Sequence, residues 1–299
     1  MKSVHKTVLL QETIDGLNIQ PDSVIVDGTF GGGGHSLEIC RRYPSVKIVA
    51  LDQDKDVFAG ENQFKDCNIS FVNENFRNID KVLTGMGVIE VSGIIFDLGL
   101  SSDQLENSGR GFSFTKNEPL LMTMKENPSS EDVTAYDVVN TWSEESLADI
   151  IYGYGEEKFS RKIAKAIVEA RDRKKIETTF DLVGVIESAI PNKYNKGKIH
   201  VATKTFQAIR IAVNDELGAL SEGLEKGFEL LKKGGRMSVI TFHSLEDRVV
   251  KRFYKTKEGE GVARLINKKV IIAGDEEIKN NRRSRSAKLR ILEKIQRIK

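Results

Sequence analysis

The chain has 299 residues, 39% hydrophobic and 30% charged, with a formal net charge of +2. That length holds one large domain, or one domain with a second inserted or appended, and the near-neutral balance excludes a global field aimed at nucleic acid. The start "MKSVHKTVLL" has no secretory apolar core and no run approaches membrane length, so a cytoplasmic protein without a membrane partner is expected.

In chain order, the first third alternates strand and helix patterns. "SVIVD" (23–27), "VKIVALD" (46–52), "NISFV" (68–72) and "VSGIIFD" (91–97) are short apolar, β-branched runs. Helix-like segments lie between them, at roughly 35–43, 54–64 and 76–84. Continuous apolar strands joined by helices predict an α/β fold with a doubly wound parallel sheet. Three strands end in an acid, at Asp27, Asp52 and Asp97, so these carboxylates should line the edge where such sheets bind ligands. A strand-ending Asp is also a common turn former or cap. Cys40 and Cys67 are the only cysteines; without CxxC spacing, neither metal binding nor a disulfide framework is expected.

From 109 to 199 the strand signal fades. Phe159, Ile163 and Ile167 recur every four residues, and Thr178-x-x-Asp181 reads as a capping box before Leu182, Val185, Ile186 and Ala189. A helical insertion of about 90 residues is predicted, interrupting a domain made of 1–108 and 200–299. A single long helix is then expected over 204–232, stopping at Gly234–Gly235, followed by a strand at 236–242 and a helix from 244 capped by Ser244. Residues 257–286 read as a long charged connection with one short strand at 270–272, before a last strand at 286–295. Arg282, Arg283, Arg285, Lys288, Arg290, Lys294, Arg297 and Lys299, against the single acid Glu293, form a local basic stretch. Such a stretch meets phosphates or simply solvates a surface.

The glycine run in "VIVDGTFGGGGHS" (24–36) fits three templates unequally. A phosphate loop would need Lys and Ser/Thr where Gly34 and His35 stand. A dinucleotide fingerprint starting at Gly31 or Gly32 meets Ser36 or Leu37 where its third glycine belongs. S-adenosylmethionine is cationic at sulfur, so acids and backbone groups suit it: Asp27 beside the loop, Asp52 for the ribose hydroxyls, and the helix start near Gly34–His35 for its carboxylate. On the loop alone, another nucleotide or a purely structural tight turn stays open.

The loop segment "DGTFGGGGHS" resembles the first motif of the bacterial ribosomal RNA small subunit methyltransferase H family. Seven further blocks match in order: "HKTVLL" (5–10), "DLGLSSDQL" (97–105), "RGFSF" (110–114), "YGEEKFSRKIAKAIVEAR" (154–171), "ATKTFQAIRIAVNDEL" (202–217), "FHSLEDRVVKRF" (242–253) and "RSAKLRILEK" (285–294). The resemblance implies a Rossmann-like class I methyltransferase domain with an inserted helical domain, S-adenosylmethionine as cofactor, and N4 of a cytosine in the decoding region of 16S rRNA as the target. It implies cofactor contacts at Gly33, Gly34, His35, Asp52, Phe76, Asp97 and Gln104. Phe76 offers a ring for the adenine, or is a core aromatic at a helix start. The partner that the resemblance implies is 16S rRNA, with the assembled small subunit expected over naked rRNA but not decided, and a homodimer is left open. Departures from the family pattern are Gly32 for an arginine, Val201 and Lys204 in "HVATK", Asp103 for a proline, and Leu121, Thr123 and Lys125 where two acids and an arginine are usual.

Cytosine's amine is a weak nucleophile, its lone pair delocalised into the ring, so an acceptor must orient it. The segment Asp97, Ser101 and Ser102 is the candidate, with His243, Ser244, Glu246 and Asp247 shaping the base pocket from the next strand's end. "SLEDR" equally reads as a helix cap with first-turn acids. The insertion and the basic C-terminal stretch are expected to hold the RNA backbone. Neither His35 nor His200 has metal-ligand company, so no metal is expected. Competing functions are a nicotinamide-dependent oxidoreductase, a ribosome-assembly factor without turnover, and a methyltransferase for proteins or small molecules.

Overall fold

The computed structural model describes residues 6–126, 128–191 and 199–296, the side chains of Ser102 and Asp103 excepted. Helix α1 (Leu10–Leu17) precedes β1 (Val24–Asp27), α2 (Gly34–Arg42) and β2 (Lys47–Asp52). A 3-10 segment over Lys55–Phe64 leads to β3 (Ile69–Asn73), and a second, Phe76–Asn78, runs into α3 (Ile79–Gly85) and β4 (Val91–Asp97). Among the described residues six helices follow: α4 (Ser102–Asn107), α5 (Ala135–Thr141), α6 (Glu144–Gly153), α7 (Ser160–Arg173), α8 (Thr179–Ala189) and α9 (Thr203–Asn214). The chain ends through α10 (Glu216–Leu230), β5 (Leu231–Thr241), α11 (Ser244–Gly259), β6 (Ala263–Leu265), α12 (Asp275–Asn280) and β7 (Lys288–Lys294).

Two compact units emerge, a helical one over Ser102–Glu216 and a sheet unit over Val4–Ser101 and Leu217–Lys299. The sheet order is β3-β2-β1-β4-β5-β7-β6, parallel from β3 to β5, with β7 antiparallel to both its neighbours. The doubly wound α/β fold read from the strand–helix alternation is therefore present. Strand residues alternate between two cores, as a sheet covered on both faces requires. Ile25, Ile48 and Ile95 pack with Ile14, Leu17 and Ile39. Val26, Val49, Ile94 and Phe96 pack with Leu220, Leu224, Phe228, Val250 and Tyr254.

The helical unit also takes in α4 and α9, beyond the span 109–199, because α9 packs on α5 and α6. Thr134–Asp137 and Thr178–Asp181 are both capping boxes. Thr123 is buried, Lys125 pairs with Asp132, and Asn214 ties the segment down by bonding Met122 O at 2.7 Å and Met124 N at 2.8 Å. Two of the unusual residues of "PLLMTMK" thus serve this unit's own fold.

Four expectations are corrected. The long helix over 204–232 is two helices, broken at Asp215, whose φ of 45° lies in the left-handed region. The glycine pair does not stop a helix: α10 ends at Leu230, and Gly234 (φ 80°) sits inside β5, beside a register shift against Val91 and Gly93. Residues 257–286 are not a bare connection. They carry the end of α11, strand β6, helix α12 and a 3-10 turn over Arg282–Ser286, with an isolated bridge between Ile271 and Leu289. Finally, Cys40 and Cys67 form a disulfide. Its partners are 27 residues apart, brought together by α2 and the segment before β3, so no local spacing announces it.

Candidate functional site

Asp27, Asp52 and Asp97 close β1, β2 and β4, three neighbouring strands, and so share the carboxyl edge of the sheet. The glycine loop crosses that edge strand by strand. Gly28 N–H donates to Ile95 O at 2.9 Å, Phe30 N–H to Leu51 O at 2.9 Å, and Gly31 N–H to Asp52 Oδ2 at 2.9 Å. Below the loop, Phe30 meets Phe58 and Phe64 at 5.4 Å between centroids and Phe71 at 5.3 Å. Such pairs each add about 0.5–1.5 kcal/mol beyond burial, so the loop is anchored rather than loose.

Glycine is needed here for two different reasons. Gly33 has φ 70°, and a Cβ there would lie 2.6 Å from Phe30. A Cβ on Gly34 would clash with Thr7 Oγ1, so Thr7 packs directly against the start of α2. No side chain caps α2, so its first N–H groups are turned to whatever occupies the edge. Gly32 is exposed, and nothing in the structure explains its replacing an arginine.

The three acids are not equivalent. Asp27 is 1% exposed; its Oδ2 accepts from Ser36 Oγ at 2.7 Å and its Oδ1 from Thr29 N–H at 3.3 Å. Burial raises its pKa to about 6 despite those two bonds. Asp52 accepts N–H bonds from Gly31 and, at 2.9 Å, from Asp54; burial raises it to about 7. Asp97 is pushed well above the ordinary carboxylate range, first by burial, then by the charges of Asp27 and Glu246. Its backbone N–H donates to Thr29 Oγ1 at 2.6 Å, and its Oδ2 lies 3.8 Å from Nδ1 of the buried His35. Its Oδ1 is buried with no hydrogen-bond partner among the described residues. An edge of raised, partly unsatisfied carboxylates fits a ligand that brings positive charge and N–H or O–H donors.

The sequence-predicted residues Asp27, Gly33, Gly34, His35, Asp52 and Asp97 are thus brought together. Ser101 joins them, its Cβ 3.9 Å from where a Gly31 side chain would begin. The Ser102 side chain lies outside the described residues. Phe76 is half-buried at a helix start, 4.8 Å from Phe96 and pressed against Gly223, so part of its surface belongs to the core. Gln104 is buried in α4 of the helical unit.

His243, not Ser244, caps α11: its Nδ1 accepts from Glu246 N–H at 3.3 Å. Glu246 returns the bond, accepting from His243 N–H at 3.2 Å and Phe242 N–H at 2.8 Å. Asp247 is held by Arg290 at 2.7 Å and Lys288 at 3.3 Å. Part of the basic C-terminal stretch is spent inside the fold in this way. Lys294 is buried and donates to Phe228 O and Glu229 O at the end of α10. Thr7, Thr29 and Ser36 were not singled out from sequence. "HKTVLL", "DGTF" and "GHS" are the local traces of their roles.

A family model described as the MraW methylase family matches residues 2–295. A Ribosomal RNA small subunit methyltransferase H from Clostridium botulinum is 47% identical over 99% of this chain and 100% of its own. Proteins of the same name from Ruminiclostridium cellulolyticum and Lactobacillus johnsonii are 45% and 44% identical with the same coverage. Among solved structures, an rRNA methylase from Streptococcus thermophilus aligns over 98% of this chain and 100% of its own, with 12% identity and a TM-score of 0.47.

Proposed function

This chain belongs to the MraW methylase family, and from that premise we propose that it transfers a methyl group from S-adenosylmethionine to the exocyclic N4 of a cytosine in the decoding region of 16S rRNA. The names of its relatives support small-subunit rRNA as the substrate class. The base, the atom and the region follow from the resemblance of the eight sequence blocks.

The bound cofactor supplies an electrophilic methyl group on a positively charged sulfur. Asp52 retains a lone pair on each oxygen beyond its two N–H bonds, which suits the two hydroxyls of a ribose. The uncapped start of α2, at Gly34 and His35, suits a carboxylate. Phe76 is assigned to the adenine, and Gln104 is a cofactor contact by resemblance alone. Asp27, bonded to Ser36 and Thr29, holds the loop in shape and adds negative potential.

The observation that carries the reading is Asp97 Oδ1, a buried acceptor awaiting a donor at the sheet edge. A target amine hydrogen-bonded there would be held with its nitrogen aimed, at the separation of about 3–3.5 Å that direct transfer requires. The base must leave its stack to reach it. As the nitrogen gains a methyl group it loses one proton. Burial and the neighbouring charges of Asp27 and Glu246 push the Asp97 pKa upward; a positive charge at the edge would bring it back down, toward the carboxylate that can accept that proton. Ser101 stands beside the loop as a second polar group, and His243 and Glu246 brace the end of β5 from the cap of α11.

The test uses the full chain, labelled cofactor, naked 16S rRNA and assembled small subunits, with the modified nucleoside identified by mass spectrometry. Wild type yields N4-methylcytidine, and Asp97→Asn loses about 100-fold or more in rate. Methylation at another atom overturns the N4 assignment. Undiminished transfer by Asp97→Asn removes Asp97 from the chemistry.

A further inference from the structure

Helix α11 buries Leu245, Val250, Tyr254 and Lys257 against the sheet unit. Its opposite face carries Arg248, Lys251, Arg252 and Lys255, all exposed, at the i, i+3, i+4, i+7 spacing of a single stripe about 10 Å long. These four residues and Thr256 line a depression of about 400 Å³ that has no acid among its lining residues. Lys251, Arg252 and Lys255 form no ion pair among the described residues. Like charges at these spacings repel along a helix. The exposed face of α10, by contrast, interleaves acids with its cations, as in the Glu222–Lys226 pair. The two acids just before the stripe do not offset it. Glu246 is taken up by the cap, and Asp247 by Arg290 and Lys288. The stripe begins one turn beyond His243, at the end of β5, which pairs with β4 at Asp97.

We propose that this face of α11 is a track for the sugar–phosphate backbone of the substrate RNA, gripping phosphates without reading bases and feeding the strand toward the carboxyl edge at Asp97. The inference rests on the reading of the substrate as rRNA. It moves part of the backbone contact from the C-terminal stretch, where Lys288, Arg290 and Lys294 serve the fold, to a helix not expected to carry it. Phosphate contacts contribute affinity through counterion release, so their signature is salt dependence.

The experiment compares the full-length wild type with the triple variant Lys251→Gln, Arg252→Gln, Lys255→Gln. It measures binding to a 16S rRNA fragment across a KCl series, KM and kcat for methyl transfer, S-adenosylhomocysteine binding, and thermal unfolding. The track predicts a KM for RNA raised about tenfold or more, and a log–log salt slope reduced by about 2, at 0.7 per lost contact to a single strand. It predicts kcat and S-adenosylhomocysteine affinity near wild type and a melting temperature no lower, since like-charge repulsion is removed. A wild type that transfers methyl groups to rRNA, with a triple variant of unchanged KM and salt slope, overturns the track and leaves the reaction standing. A wild type that never methylates rRNA overturns the reaction itself. Binding of the stripe to phosphatidylglycerol vesicles, with RNA affinity unaffected by the variant, assigns it to a membrane surface and also overturns the proposal.

Discussion

Asp27, Asp52 and Asp97 end three strands of the sheet unit, while Asp132 and Asp181 sit just before α5 and in the first turn of α8 in the helical unit. Burial drives Asp27 to about 6, Asp52 to about 7 and Asp97 well above its ordinary value. The Lys125 ammonium, with the Ser129 N–H and hydroxyl, holds Asp132 at about 2. At Asp181 burial pushes upward, but the Thr178 hydroxyl and N–H and the Glu177 N–H outweigh it and leave the pKa lowered. One residue type therefore has opposite protonation behaviour. The helical unit uses these carboxylates to close a turn, at Asp132, and a helix start, at Asp181. At the sheet edge burial raises all three carboxyls and leaves one oxygen of Asp97 without a partner among the described residues, at a cost in stability that an incoming ligand can offset.

The signs separate the two groups. A carboxyl whose pKa is raised on folding destabilises the fold once ionised, and that loss develops as pH rises from about 4 through 6–7 for Asp27 and Asp52. A carboxyl whose pKa is lowered stabilises the fold above its unfolded value and loses that contribution as pH falls toward about 2 at Asp132. Between pH 5 and 8, the pH response of stability should come from the sheet edge.

The largest expected effect is on chemistry. Asp97→Asn should cut transfer by about 100-fold or more while raising the melting temperature at pH 8, because it removes a disfavoured buried charge. A variant both inactive and less stable would mean that Asp97 is structural. Asp52→Asn should weaken S-adenosylhomocysteine binding about tenfold or more by calorimetry, yet stabilise the ligand-free chain increasingly as pH rises from about 4 to 7, by on the order of 2 kcal/mol more at pH 8 than at pH 5. In the wild type, affinity for S-adenosylmethionine should rise as pH increases through 6–7, with protons released on binding, read from calorimetry in buffers of different ionisation enthalpy. In the helical unit, Thr178→Ala should cost about 1 kcal/mol in denaturant unfolding through loss of the cap and leave cofactor affinity unchanged. The smallest effect is at the surface pair: Lys125→Ala should raise the Asp132 pKa, followed by NMR titration, without moving the melting temperature.

Much of the edge is legible in the sequence because its parts are local. "SVIVD", "VKIVALD" and "VSGIIFD" each bring an acid at the strand end with them, and "GTFGGGGH" brings the turn and the helix start. A strand's direction and the right-handed crossover then put Asp27, Asp52 and Asp97 on one edge without further information. The capping box Thr178–Asp181 is legible for the same reason, its donor and acceptor lying three residues apart. Long-range partners are not. The break at Asp215 follows Asn214, whose side chain bonds Met122 and Met124 some 90 residues earlier. Lys294 and Arg290 read as free cations because their partners at Phe228, Glu229 and Asp247 are distant in the chain.

By itself the sequence determined the alternation of strands and helices, the loop that admits a close ligand, the three edge carboxylates and the family blocks, all set by neighbours a few residues apart. Only the tertiary structure decided which acids are already satisfied, which cysteines pair, and which basic residues stay in solvent on α11. Those outcomes depend on desolvation and on partners tens to hundreds of residues away, and short-range patterns carry neither.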